Sequence, residues 1–199
     1  MTLLFFFETV DPMSGMRTFI AVEIPARQRK VLSRLALACS GAKGLSFVEE
    51  QGLHLTLNFV GNVDDREVPD LCGRVSKVTR GRDPFELQLG GLGAFPDMSR
   101  PRAFWIGLVA GSEILRDLNA KYRDILEEMG FLQEKKYVPH LTLARSRPGQ
   151  VLPESVATLQ KAYGSLQLEP FAIDRVIVYM STLEHSGPTH VPLSTIRLE

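Results

Sequence analysis

The chain has 199 residues, 44% of them hydrophobic and 23% charged, which falls in the ordinary globular range and allows one sizeable domain or two small lobes. Lys+Arg and Asp+Glu are both 23, so no bulk electrostatic pull toward nucleic acid or anionic lipid exists, and a polyanionic partner has to be held by a local groove. Cys39 and Cys72 stand far apart, with no CxxC pattern and no histidine at metal-ligand spacing, and read as buried thiols of a reducing, cytoplasmic compartment. At the start, "MTLLFFFETVDPMSGM" carries an apolar run from Leu3 to Phe7 that has no basic flank, is too short for a signal-peptide core and is followed by Glu8 and Asp11. Neither export nor a membrane span is read from it. Met16 directly precedes the first clean strand pattern, so residues 1–15 are read as an N-terminal extension and residues 16–199 as one domain.

In chain order, "RTFIAVEI" predicts a strand, and Pro25 suits the first position of a helix running to about Ser40 with Val31, Leu32, Leu35 and Leu37 or Ala38 on its apolar side. "LHLTLNFV" predicts a second strand, and "DDREVPDLCGRVSKVTR" places Val68, Leu71, Cys72, Val75 and Val78 on one helical stripe behind an acidic start. "PFELQLGGL" and "RAFWIGLVA" read as strands, with "GGLGAF" as a turn after the first of them. The clearest helix is "SEILRDLNAKYRDILEEMG", with Ser112 as N-cap, Gly130 as the stop, and Ile114, Leu115, Leu118, Tyr122, Ile125 and Met129 as its stripe. A further strand, a helix near Glu154 to Tyr163 ended by Gly164, and closing strands "FAIDRVIVYMSTL" and "HVPLSTI" complete the chain. Intermixed strands and helices with short connections predict an α+β fold with antiparallel pairing.

One tetrapeptide occurs twice. His-Leu-Thr-Leu in "GLHLTLNFVG" begins at His54, and it returns 86 residues later in "VPHLTLARSR" at His140. On a strand, positions i and i+2 share a face, so His54 and Thr56 point one way and Leu55 and Leu57 the other, and His140 and Thr142 likewise oppose Leu141 and Leu143. Either copy alone reads as an ordinary half-buried strand. The chain has only four histidines, however, and chance accounts poorly for two of them falling in the same apolar-flanked tetrapeptide. Two imidazoles facing one pocket can divide acid and base work, because an unperturbed pKa near 6.5 lets one be neutral and the other protonated near neutral pH. The neighbouring threonine hydroxyls can donate to the non-bridging oxygens of a phosphoryl group. Together these four residues describe metal-independent phosphodiester cleavage.

These motifs resemble the two-histidine HxTx phosphoesterases, and within them the RNA 2′,3′-cyclic phosphodiesterase family, also called 2′-5′ RNA ligases. The resemblance extends to "MRTFIAVEIP", "GLGAFPDMSRPRAFWIGL", "PHLTLAR" and "VIVYMSTLEHSGPTH" in the same order, and so covers nearly everything from Met16 onward. One departure is His190, where relatives tend to carry an aromatic after the Gly-Pro. The resemblance implies a bilobal fold of two antiparallel sheets related by a pseudo-twofold axis, with flanking helices and one HxTx motif from each lobe facing a central cleft. It implies His54 as proton donor and His140 as proton acceptor in hydrolysis of a terminal 2′,3′-cyclic phosphate to a 2′-phosphomonoester. It also implies reversible 2′-5′ ligation without a cofactor, RNA with cyclic phosphate ends as partner, no membrane, and a monomer.

Arg145, three residues beyond Thr142, matches the family's arginine and is read as a phosphate or backbone ligand. Lys135, Lys136 and Arg147 extend a local basic patch, although each lysine singly reads as solvated surface charge. Phe47 can stack on a base but reads better as core. His185 and His190 raise a metal alternative, against which stand the absence of HxH and HExxH and of a carboxylate at ligand spacing, so no metal is expected. Two rival functions stay open: a cyclic phosphodiesterase acting on a nucleotide or ADP-ribose derivative, and a non-catalytic RNA-binding module.

Overall fold

A computed structural model describes residues 15–146, 153–184 and 187–199. Its elements run β1 (Met16–Glu23), α1 (Ala26–Ala38), β2 (Leu45–Phe47), a 3-10 turn (Glu50–Gly52), β3 (His54–Val63), α2 (Val68–Thr79), β4 (Phe85–Phe95), β5 (Ala103–Ala110), α3 (Ser112–Glu128), β6 (Leu141–Ser146), α4 (Pro153–Tyr163), β7 (Phe171–Ile173), β8 (Arg175–Glu184) and β9 (Gly187–Arg197). The strand order is β7-β4-β5-β6-β3-β1-β8-β9, with β2 paired to β6, and the paired strands are antiparallel. The α+β class and the antiparallel pairing are as the sequence predicts. Two groups of strands, β7-β4-β5-β6 with β2 and β3-β1-β8-β9, meet at a single rung, Leu55 opposite Leu141.

That rung lies between the two tetrapeptides, at the second residue of each, so the two motifs are related by a local twofold. All four helices pack on one face of this curled sheet. Leu32 of α1, Leu71 and Val75 of α2, Leu115, Leu118, Tyr122 and Leu126 of α3, and Leu159 and Tyr163 of α4 join Ile20, Val22, Leu55, Leu57, Leu141 and Leu143 in one buried cluster. The opposite face has its own small apolar cluster, Phe19, Ala21, Ile177 and Tyr179, to which no helix contributes. β1 is therefore apolar on both faces, as a central strand must be, and the helix-free face is left for chemistry.

Several details differ from the sequence reading. Gly111, at φ 81, occupies the N-cap of α3, and Ser112 is the first helical residue, its Oγ accepting a hydrogen bond from Arg116 at 2.9 Å. The stripe of α3 buries Leu126 rather than Ile125, which is only partly covered. In α1 the buried positions are Gln28 and Leu32, and Leu37 is 75% exposed. "GGLGAF" is not a turn: it lies within β4, where a register shift between Leu89 and Leu92 absorbs Gly90 and Gly91, the latter at φ 79. "FAIDRVIVYMSTL" is two strands, β7 on β4 and β8 on β1, so the chain crosses between the halves at Asp174. Cys39 is buried and Cys72 half-buried, both as free thiols.

Candidate active site

His54 opens β3 and Thr56 follows it, flanked by Leu53, Leu55 and Leu57, which are at most 3% exposed. The alternation forces both polar side chains onto the helix-free face. The same logic acts on His140 and Thr142, where Leu141 and Leu143 are buried below. Because Leu55 pairs with Leu141, extending that antiparallel register by one residue on each side sets His54 opposite Thr142 and Thr56 opposite His140. The two HxT pairs thus cross one another at the centre of the sheet. The connecting loop ties them further, since the Tyr137 hydroxyl donates to the Thr56 carbonyl at 2.9 Å. On the core side the Asn119 amide donates to the Leu57 carbonyl at 2.8 Å and anchors α3 beneath the first motif.

Each histidine is held from behind and from the side. The His140 Nδ1 lies 2.7 Å from the Val138 carbonyl, which fixes Nδ1 as the protonated nitrogen and leaves the Nε2 lone pair for the site. For His54 the backbone of Gly52, also two residues upstream, favours the protonated ring. Phe19 of β1 stacks on His54 at 5.0 Å, while Phe95 stands edge-on to His140 at 4.9 Å with Trp105 at 5.9 Å. Trp105 pairs with Thr142 on one side and with Gly93 on the other. A Cβ on Gly93 would come within 2.2 Å of the indole, so this glycine is what lets Trp105 pass over β4 and stand 5.9 Å from His140.

Electrostatics favour the neutral form of both rings. Burial, followed by the like charge of His190, pushes His54 down to about 4, with Gly52 opposing and Arg145 and His140 adding smaller repulsions. Burial also lowers His140, against the hydrogen bond that its ring donates to Val138. Both rings keep part of their surface open to the cleft, yet the surrounding side chains are close enough for burial to dominate. Both shifts run in the same sense, toward the neutral ring.

Arg145 faces this site, although an offset of three residues from Thr142 would point it away on a regular strand. The register shift between Phe104 and Trp105 accounts for this: Arg145 pairs with Ala103, which pairs with Phe95, and Phe95 touches His140. Arg145 is exposed to solvent at the surface but crowded enough that burial lowers its pKa, and its charge acts on both histidines. Phe47 packs against the core, as the sequence favours, and Lys135 and Lys136 are exposed. Arg147, His185 and residues 1–14 lie outside the described residues. Among the described residues, no group of three or more His, Cys, Asp or Glu side chains is arranged to hold a metal ion, and no helix is long and apolar enough to cross a membrane.

Sequence reasoning missed the aromatic lining. Phe19, Tyr179, Phe95 and Trp105 read as plain strand residues, and only an i+2 count from Phe19 to Glu23 signals that β1 has a second working face. Glu23 on that face accepts a hydrogen bond from the Tyr179 hydroxyl at 2.7 Å. His190, the departure from the family pattern, stands beside His54 with ring centroids 5.1 Å apart.

Residues 23–182 match the model of the 2′-5′ RNA ligase superfamily. The chain is 31% identical over 187 residues to a Thermotoga maritima protein named RNA 2′,3′-cyclic phosphodiesterase, covering 92% of this chain and 96% of that one. It is 32% identical over 178 residues to a protein of the same name from Archaeoglobus fulgidus, covering 89% and 98%. Among solved structures, a Thermus thermophilus protein superposes with a TM-score of 0.71 at 26% identity, covering 92% of this chain and 97% of that one. E. coli LigT with 3′-AMP superposes with a TM-score of 0.76 at 21% identity, covering 93% and 99%, a likeness of fold.

Proposed function

The chain belongs to the 2′-5′ RNA ligase superfamily, and we propose that it hydrolyses the 2′,3′-cyclic phosphodiester end of RNA to a 2′-phosphomonoester by general acid and base catalysis between His54 and His140. The observation that carries this reading is the rung Leu55–Leu141, which puts two HxT pairs on one helix-free face in twofold relation. Such a pair offers a base on one side of a phosphorus and an acid on the other, as in-line displacement requires.

His140 is the acceptor. With Nδ1 bonded to Val138, its Nε2 takes a proton from water as the water oxygen attacks phosphorus. His54 is the donor: as the bond from phosphorus to O3′ breaks, its proton passes to O3′, and the phosphate stays on O2′. The Thr56 and Thr142 hydroxyls donate to the non-bridging oxygens, and Arg145 supplies the fixed positive charge. Burial holds His54 down at about 4, so the charge of the phosphodiester draws the proton onto His54 when it binds. The same geometry serves ligation when a 5′-hydroxyl replaces water: His140 takes the proton of that hydroxyl, His54 again protonates O3′, and a 2′-5′ linkage is the product.

The reading is tested by turnover of an oligonucleotide with a 2′,3′-cyclic phosphate end in the presence of EDTA, for the wild type, H54A and H140A. Full wild-type activity and a loss of at least ~10²–10⁴-fold in each variant are expected. Near-normal turnover in either variant removes that histidine from the mechanism. A cyclic mononucleotide assayed alongside addresses the substrate: equal turnover of the two would argue for a small-molecule enzyme.

A further inference from the structure

We propose that His190 is a positioning residue for His54, a third imidazole that walls in the proton donor and, by taking up a proton itself, sets the acid limit of the reaction. The inference rests on His54 being the donor. Three rings form a nearly equilateral triangle: Phe19 stacks on His54 at 5.0 Å and 25°, and His190 stands across both, 5.1 Å from His54 at 89° and 5.0 Å from Phe19 at 80°. A ring set perpendicular to a stacked pair blocks the swing of either member, so His54 is held by Phe19 on its face and by His190 at right angles.

His190 reaches this position from β9, where it pairs with Ser181 of β8. Its Nδ1 is buried and has no hydrogen-bond partner among the described residues. A buried ring nitrogen without a partner is tolerable as a lone pair and costly as a charged N–H, so His190 is neutral in the resting site. Burial lowers its pKa in the same sense. A neutral aromatic wall tolerates or favours a positive His54, whereas two charged imidazoles at this separation repel.

Other groups facing the pair do not cancel that repulsion. Arg145 and His140 on β6 add positive charge to the surroundings of His54. Glu23 on β1 already accepts the Tyr179 hydroxyl of β8, and Glu50 belongs to the 3-10 turn beside β3. The active form therefore carries a proton on His54 and none on His140 or His190. Acidification disables it at two sites, not one.

The test uses the full chain and H190F, which keeps an aromatic wall and removes the ionisation, with H190A removing both. In ring ¹H–¹⁵N spectra of the unliganded protein, His54 should titrate with two inflections in the wild type and with one, at higher pH, in H190F. The acid limb of log kcat/KM should be steeper than one proton in the wild type and reduce to slope one in H190F, and H190A should lower kcat more than H190F does. Identical His54 titrations in wild type and H190F overturn the proposal whatever the protein turns over, and so does an H190F variant as inactive as H54A, which would make His190 a catalytic residue. If the coupled titration appears but the cyclic end is left intact, the donor assignment fails while the ring coupling stands.

Discussion

Two residues upstream of each catalytic candidate lies a backbone group that favours the protonated ring, Gly52 for His54 and the Val138 carbonyl for His140. The local twofold thus extends to the backbone behind each ring. What separates them is environment: His190 stands against His54, and Phe95 and Trp105 stand against His140. The low His54 pKa has a consequence for stability. In the unfolded chain a histidine binds its proton near 6.5, but in the folded protein His54 does so only near 4, so between these values the unfolded state holds more protons and stability rises with pH. The contribution is complete above about pH 6.5 and is lost as pH falls to about 4, on the order of 3 kcal/mol. Urea midpoints measured across this window should fall with acidification, and less so in H54Q. A midpoint for the wild type that is flat from neutrality to pH 4 contradicts the burial of this ring.

Among the elements, β4 and β5 show how a glycine shapes a site that it does not enter. Gly93 pairs with Trp105, and a methyl group there would overlap the indole. G93A should push Trp105 toward His140, lowering kcat and costing about 1–3 kcal/mol as an overpacked contact, read from urea unfolding and steady-state kinetics of one preparation. Unchanged values for both would mean that the indole position is immaterial. This part of the site was not legible in the sequence: "GGLGAF" has the composition of a turn, and only pairing with β5 turns its glycines into space for a large neighbour. The tetrapeptides were legible because their alternation is local and period-two, so both faces follow from the residues themselves. Arg145 was legible by resemblance alone, since its spacing from Thr142 works only through a bulge that tertiary pairing creates. The aromatic rings of β1, β4, β5 and β8 come together from positions as far apart as Phe19 and Tyr179, and no local period marks such a meeting.

At the scale of the whole molecule, two groups of strands share one rung, and that rung sits directly under the proposed chemistry. Leu55 and Leu141, both fully buried, are thus structural partners of the histidines beside them. L141A should cost about 2–5 kcal/mol as a core truncation and should lower activity well before the fold is lost, because it loosens the one strand contact that sets the two motifs against each other. Comparable stability loss with full activity would show that the halves are aligned by other contacts. The zero net charge is equally a property of the whole, and under the proposed function it leaves recognition of an RNA end to Arg145 and the polar groups of the cleft rather than to a general field.

The most direct measurement is the chemical identity of the RNA end after incubation of a 2′,3′-cyclic phosphate oligonucleotide with the purified chain, read by mass spectrometry and by ³¹P resonance. Donation from His54 to O3′ predicts a 2′-phosphomonoester with a free 3′-hydroxyl, formed by the wild type and absent with H54A and H140A. An intact cyclic end, or a 3′-phosphate, contradicts the account.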